Sequence, residues 1–450
     1  MITSKTINRR EFISAGAAAA MFTIVPRHVL GGPGQTPPSE KLNIAGIGIG
    51  GMGASNLRML ESENIVALCD VDEKYAAKTI ARYPKAKFYK DYRLMLEQQK
   101  NIDAVLVATP DHTHAVIAMA AIRAGKHVYC QKPLTHDIHE ARSLAKAARQ
   151  AGIAAQMGIQ GHSTEGVKLI SEWIWDGAIG HVREVQAWST LSYSPHGHSW
   201  WSSPCAVRPT ELPPVPETLD WDLWLGPAPA RPYHPCYHPC VWRCWWDFGC
   251  GMLGDRGCHT MDPAFQALKL GAPTSAEARC KGGNQEVHPD SAVVTYHFPA
   301  RGELPPVKLT WYEGEVPPRP DVLEKGRRFG DTEGGVLFKG DKGMLMCGTY
   351  GNSPRLIPET AMKAYQRPEK TLPRVADSHE LDWVRACKAG TQPGANFDYS
   401  APLTELALLG NIAKRVGKRI EWDAEKMKIT NVPEANKYVR STYRSGWSLD

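Results

Sequence analysis

The 450-residue sequence has no run of about 18 apolar residues, which excludes a polytopic membrane protein. It also lacks a strong charge of either sign. Lys and Arg number 53 against 47 Asp and Glu, a net charge of +6 spread along the chain rather than gathered into runs. A nucleic-acid partner or an acidic membrane surface calls for a far stronger basic bias, so neither is expected. Internal repeats are absent. The eleven cysteines are an odd number that a monomer cannot pair completely, and a chain this long is not a disulfide scaffold. Glycine (40) and proline (34) are plentiful, with the prolines collected in a few stretches, so long ordered loops are expected. Length alone allows two or three domains.

Residues 1–40 read as an address and linker. Asn8-Arg9-Arg10-Glu11-Phe12-Ile13 precedes a short, alanine-rich apolar segment, Ser14 to Val25. Paired arginines before such a segment form a twin-arginine export signal, which places the protein in the periplasm or cell envelope and makes the export machinery a partner. The apolar run is too short to span a bilayer comfortably. This export route suits a protein that loads its cofactor before crossing, and so one that holds it tightly.

Residues 41–161 read as a dinucleotide-binding domain. Lys41 to Ile47 is a short buried strand that runs into Gly48-Ile49-Gly50-Gly51-Met52-Gly53 and then a helix around Ala54 to Glu61. In this G-x-G-x-x-G, Gly48 serves the tight turn, Gly50 a close approach to a pyrophosphate, and Gly53 the packing of helix on strand. A second strand ends in Asp70, twenty residues after Gly50, where a carboxylate meets the adenosine ribose. Its charge repels a 2′-phosphate and no arginine follows closely, so NAD is favoured over NADP. Asp70 could instead cap the next helix, a role that Asp72 suits better. Strands continue at Asp103 to Ala108, His127 to Cys130 and Ala154 to Met157, alternating with helices, which means a parallel sheet with its ligand at the strands' carboxyl ends. Thr109, Pro110, His112, His114, Gln131, Lys132 and Gln160 lie just past those ends and are expected to line one crevice.

These motifs, together with Gly125 to Pro133 and Gly254-Asp255-Arg256-Gly257-Cys258-His259-Thr260-Met261-Asp262, resemble the Gfo/Idh/MocA family, from about Leu42 to Leu449. The resemblance implies an α/β protein with an N-terminal Rossmann domain and, over residues 162–450, a C-terminal α/β domain. That second domain carries an open, mostly antiparallel sheet that helps form a homo-oligomer. The sequence departs from the family at Gln131-Lys132-Pro133, where the family has Glu-Lys-Pro. Lys132 loses an anionic neighbour, so its pKa is expected below that of the Glu version.

Asp255 and His259 stand four apart at the start of a helical pattern, Gly254 to Lys269, and so share a face. By the resemblance, His259 accepts the alcohol proton, Asp255 orients it, and Lys132 polarises the hydroxyl. Taken alone, Asp255 could be a helix cap and His259 a core histidine. Between about Ser192 and Phe248 runs a proline- and tryptophan-rich stretch, read as a carbohydrate-facing lid in which His198, Arg243 and Trp245 meet the substrate. His234, Cys236, His238, Cys240 and Cys244 raise the thought of a metal. Their C-x₃-C-x₃-C spacing is not a common zinc pattern, however, and packed thiols or a cysteine pair are expected, with no metal. Five further segments read as an antiparallel series: Ala276 to Cys280, Ala292 to Phe298, Val307 to Trp311, Gly335 to Lys339 and Gly343 to Cys347. Ser378 to Lys388 and Pro402 to Val416 read as helices returning over the core.

The function expected is NAD-dependent oxidation of a sugar, polyol or glycoside hydroxyl by tightly held NAD. The alternative is a lyase or glycosidase that works through a transient keto-sugar with no net redox change. A binding protein on a retired scaffold is the non-enzymatic option.

Overall fold

A computed structural model describes residues 40–193, 198 and 200–449. The export segment read at Asn8 to Val25 lies outside the described residues. No helix among the described residues is long and apolar enough to cross a membrane.

The first sheet is wholly parallel. Its strands are β1 (Asn43–Ile47), β2 (Asn64–Cys69), β3 (Lys87–Tyr89), β4 (Ala104–Val107), β5 (His127–Cys130) and β6 (Ala155–Met157), in the spatial order β3-β2-β1-β4-β5-β6. Apolar side chains cover both faces, as in β4, where all four residues are buried, so these strands are continuous hydrophobic runs rather than alternating ones. The strand order reverses between β1 and β4, and the crevice opens there. Helices α1 (Gly51–Met59), α2 (Glu73–Arg82), α3 (Tyr92–Gln98), α4 (His114–Arg123) and α5 (Ile138–Ala151) make the crossovers. Asp72 caps α2, accepting from the backbone N–H groups of Lys74 and Tyr75 at 3.0 and 3.1 Å, which leaves Asp70 free of that task.

Helix α6 (Glu165–Trp175) leads to a nine-stranded second sheet. Its strands are β7 (Val182–Ser189), β8 (Ser275–Lys281), β9 (Ser291–Phe298), β10 (Val307–Glu313), β11 (Gly334–Gly340), β12 (Met344–Cys347), β13 (Arg355–Ile357), β14 (Ile420–Asp423) and β15 (Lys428–Ile429). The order is β13-β12-β11-β7-β10-β9-β8-β14-β15. Every neighbouring pair is antiparallel except β7 with β10, so the expected antiparallel series is broken at its centre by a strand the sequence reading did not name.

The short α7 (Trp221–Leu225) lies against His112 of the first sheet's half, while one face of the second sheet meets α8 (Cys258–Ala267) and the long α11 (Phe397–Val416) in the main core. On the other face the chain covers itself. Leu323 and Phe329, from the connection between β10 and β11, pack on Trp188, Leu337, Met346 and Ile357. The rest of that face carries ion pairs such as Glu184 with Lys308 and Lys339. Between β13 and α11 lie α9 (Glu359–Ala364) and α10 (His379–Ala389). Helix α10 returns to the first sheet, where the Trp383 indole donates to the Ala154 carbonyl at 3.2 Å and its ring meets Tyr129 edge-on. Helix α11 is tied to α5 by Arg142 and Glu405 at 2.7 Å.

Candidate active site

A cavity of about 500 Å³ opens at the carboxyl ends of β1, β2, β4 and β5. Gly48, Gly50, Gly51, Met52, Asp70, Thr109, Pro110, His114, Gln131, Lys132, Gln160, Arg243, Asp255 and His259 all line it. The topology thus gathers into one site most of the residues singled out in the sequence.

At one end is the glycine turn. A Cβ on Gly53 would lie 1.9 Å from the Gly48 carbonyl oxygen, so helix α1 reaches the strand only because that atom is missing. A Cβ on Gly50 would lie 2.0 Å from the ring of Tyr75, which covers this turn from α2. No side chain caps the start of α1, so its first amides are free for an anion. The Asp70 carboxylate accepts from the Ile49 N–H at 2.9 Å and the Asp72 N–H at 3.0 Å, and so braces the turn. Each of its oxygens keeps a lone pair for a ribose hydroxyl. Burial raises its pKa, against those two backbone hydrogen bonds. A cradle closed to any Cβ, uncapped amides and a carboxylate at the end of β2 fit a dinucleotide.

At the other end, Lys132, just past β5, forms an ion pair with Asp255. Asp255 stands in a π-helical turn, Leu253–Gly257, that leads into α8. Its second oxygen accepts a hydrogen bond from the Tyr193 hydroxyl, and the Arg243 Nε lies 3.8 Å away. Burial lowers the Lys132 pKa, helped by Arg243 and Arg256 and opposed by Asp111 and by the paired Asp255 carboxylate. Asp111 accepts from the Cys250 N–H at 2.9 Å, and its own burial lifts it to about 6. His259 is buried, with its ring edge against Tyr350 at 4.8 Å and its Nδ1 without a partner among the described residues. Burial, then the charges of Lys132 and Arg256, hold it well below the usual imidazole range.

Several expectations are corrected by this geometry. The fourfold spacing of Asp255 and His259 falls across the junction of a π-turn and an α-helix. Asp255 turns to Lys132, Tyr193 and Arg243, and no hydrogen bond joins it to His259 among the described residues. His112 is not on the cavity wall. It is buried between the carbonyls of Phe248 (3.2 Å) and Trp224 (2.9 Å), pinning the two halves of the molecule together. His114 lines the cavity but lies 2.8 Å from two carbonyls, those of Pro133 and Thr109, and its burial lowers its pKa to about 4. It fixes loop geometry. Gln131 donates to Asn56 at 2.9 Å, which in turn donates to Glu380 at 2.7 Å, so this amide is part of a buried polar chain. Gly53 lies beneath the site rather than on its wall, as its packing role requires.

The aromatic stretch is mostly core. Trp245 is completely buried, its indole N–H bonded to the Cys236 carbonyl at 2.9 Å, and cannot meet a substrate. His198 stacks flat on Trp201 at 4.7 Å and lies behind the wall. Trp201, Trp242 and Arg243 do face the cavity, with the guanidinium 4.4 Å from the Trp242 ring centre and 4.9 Å from that of Trp201. Sequence reasoning missed Tyr75, Asp111, Arg256 and Tyr350 on the wall, and Tyr193 behind Asp255. Asp111 stood inside a motif already noted, and Arg256 lay between the chosen Asp255 and His259. The tyrosines carried no local signal at all.

Comparison with known proteins gives two adjoining family matches. The profile of the oxidoreductase family's NAD-binding Rossmann fold matches residues 42–159, and that of its C-terminal alpha/beta domain matches residues 167–300. Among curated relatives, myo-inositol 2-dehydrogenase of Thermotoga maritima is 29% identical over 148 residues, covering 32% of this chain and 44% of that protein. Levoglucosan dehydrogenase of Pseudarthrobacter phenanthrenivorans is 31% identical over 133 residues, 28% of this chain and 34% of that protein. The chain thus spans less than half the length of these curated relatives. Among solved structures, a levoglucosan dehydrogenase in complex with NADH and levoglucosan superposes with a TM-score of 0.56 at 17% identity, covering 85% of this chain and 99% of that one. The WlbA dehydrogenase from Bordetella pertussis, with NADH and UDP-GlcNAcA, gives 0.58 at 18% identity, with 85% and 99% covered. These two likenesses establish the fold. With both domain profiles matched over more than half of the chain, and the glycine turn and lysine loop meeting at one cavity, the chain belongs to the Gfo/Idh/MocA oxidoreductase family and carries its NAD-binding Rossmann domain.

Proposed function

We propose that the protein is an NAD-dependent oxidoreductase acting on a secondary hydroxyl of a sugar, polyol or glycoside. The observation that carries this reading is the single cavity with a dinucleotide cradle at one end and Lys132, Asp255 and His259 at the other. The named relatives, dehydrogenases of inositol and levoglucosan, support the substrate class. Gly48, Gly50, the start of α1 and Asp70 would hold the cofactor, which when bound supplies the hydride acceptor. Oxidising a carbinol also requires a group that takes the hydroxyl proton. His259 is neutral but a very weak base in this setting. Lys132, lowered by burial and two guanidiniums against the pull of its Asp255 partner, is the group placed to exchange a proton with the substrate hydroxyl. Asp255 fixes the amine, and Tyr193 in turn fixes Asp255. His259 then serves as a hydrogen-bonding partner for the substrate oxygen. Arg243, Trp201 and Trp242 form a wall suited to stacking on a sugar face.

Lys132→Ala and His259→Ala should each abolish turnover while leaving NAD binding, read by calorimetry, intact. Retained activity in both variants overturns the assignment. A second reading, elimination through a transient keto-sugar, is favoured by the surplus of proton-handling groups: Lys132, Asp111, Tyr350 and His259 on one cavity wall. Aglycone release from an aryl glycoside without accumulation of NADH identifies that route, and NADH accumulation identifies the first. Export belongs to the same proposal and rests on Arg9-Arg10 and the segment after it. So does a homo-oligomer, though Leu323 and Phe329 cover part of the sheet face that would serve it.

A further inference from the structure

The five histidines and cysteines close together in the sequence do not form one cluster. His238 pairs with Asp72 at 2.9 Å, and the Cys240 thiol meets the Tyr75 hydroxyl at 3.0 Å. A different set converges. Cys205, thirty-one residues before Cys236, comes to it across the loop. The ligand atoms of Cys205, His234 and Cys236 all lie within 4.8 Å of one another. A tetrahedral zinc ion, about 2.3 Å from sulfur and about 2.0 Å from nitrogen, needs ligand atoms roughly 3.5–3.8 Å apart, so about 1 Å of contraction closes the site.

The backbone around these groups is already fixed. The Ser203 hydroxyl donates to the Cys236 carbonyl at 2.9 Å and accepts from the Cys205 N–H at 3.1 Å. The Cys236 N–H donates to Nδ1 of His234 at 3.2 Å, and the Trp245 indole also donates to the Cys236 carbonyl. All eleven cysteines of the chain are free thiols. A cavity wall that depends on Trp201, Trp242 and Arg243 comes from a loop with little regular structure, and the cluster stands where three of its segments meet.

We propose that Cys205, His234 and Cys236 bind a structural zinc ion, with a water molecule completing the tetrahedron, which clasps the loop that walls the cavity. Binding releases the thiol protons to solvent, and no electron transfer is involved. This site is independent of the reaction assigned above.

The test uses the whole protein. After purification with Zn²⁺ in the buffer and gel filtration, metal analysis should give about one zinc per chain. Replacement by Co²⁺ should give a thiolate-to-cobalt charge-transfer band, a signature that carboxylate or histidine sites lack. In the Cys205→Ser/Cys236→Ser variant both signals should fall to near zero. Wild-type protein that takes up no zinc from Zn²⁺ alone overturns the proposal. So does zinc retained by the double variant, or a Cys205–Cys236 disulfide found by peptide mass mapping of protein isolated with Zn²⁺ present. Should the double variant not fold, the wild-type stoichiometry and cobalt spectrum still decide.

Discussion

Lys132 is where the residue scale matters most. Its neutral amine is the proton-accepting form, and burial with two guanidiniums lowers its pKa below that of a free lysine, against the paired Asp255 carboxylate. Below its pKa the ammonium predominates and cannot accept a proton, so kcat/KM should rise as pH increases through that lowered pKa. Lys132→Arg separates this role from a purely electrostatic one. An arginine keeps the charge but does not deprotonate, so the variant should lose 10²–10⁴-fold in kcat at every pH. Substantial activity in Lys132→Arg assigns the proton to His259 instead. The glycine turn offers a second residue-scale experiment. Gly50→Ala places a Cβ against the Tyr75 ring, whose displacement breaks its hydroxyl's contact with Cys240 and should cost about 1 kcal/mol or less, and it should weaken NAD binding. In Gly50→Ala/Tyr75→Ala the stability should return while the affinity stays low, because the methyl still occupies the approach to the backbone. Coupling of that kind is read from a double-mutant cycle by thermal unfolding and calorimetry.

At the scale of elements, helix α5 shows how the end of the chain is held. Asp137 accepts from the Glu140 N–H at 2.8 Å and Glu140 returns to the Asp137 N–H at 3.0 Å, a complete capping box. The other Asp137 oxygen accepts from the Ser441 N–H at 2.7 Å, and the Tyr443 hydroxyl reaches Glu140 at 2.5 Å. Asp137→Ala therefore removes a cap and a tertiary tie together. The expected loss is about 2 kcal/mol, from about 1 for the cap and about 1 for the tie, measured by denaturant unfolding. A loss well under 1 kcal/mol shows that the tail is not held there. Elements of this kind were legible where the chain's own periodicity decides them. Except for the three-residue β3, which went unread, the parallel strands, β8 to β12 and α10 stand close to where the apolar pattern placed them. Helix α11 begins at Phe397 rather than Pro402, because Asn396 caps it by accepting from the Tyr399 N–H, and Pro402 lies inside the helix, past its first turn. Strand β7 escaped notice because its burial does not alternate: Val185 to Ser189 are all buried, with Trp188 under a loop far away in sequence. The partnership of Asp255 with Lys132 and Tyr193 depends on backbone geometry in a π-turn, and the convergence of Cys205 on Cys236 depends on a loop path. Neither leaves a spacing to read.

For the whole molecule, the decisive fact is that one hydrophobic core runs under both sheets. Ala45 and Val105 of the first sheet belong to the same buried cluster as Val294 and Trp311 of the second. The chain from Leu42 to Asp450 behaves as one compact unit, crossed by α10, α11 and the tail. Helix α11 contacts α5 on one side and the second sheet on the other, so neither sheet can open without exposing apolar surface that belongs to both. Calorimetry should accordingly show a single unfolding transition. Because NAD binds only the folded chain, NAD at one hundred times its Kd should raise the stability of that one transition by about 2.7 kcal/mol. Two separate domains predict a different pattern, in which NAD shifts the melting of the parallel-sheet half and leaves the second half where it was. Two transitions with only one responding to NAD would mean that the shared core is too weak to couple them. Lys132 and Asp255, which come from opposite sides of that core, would then be held in register by their own ion pair alone.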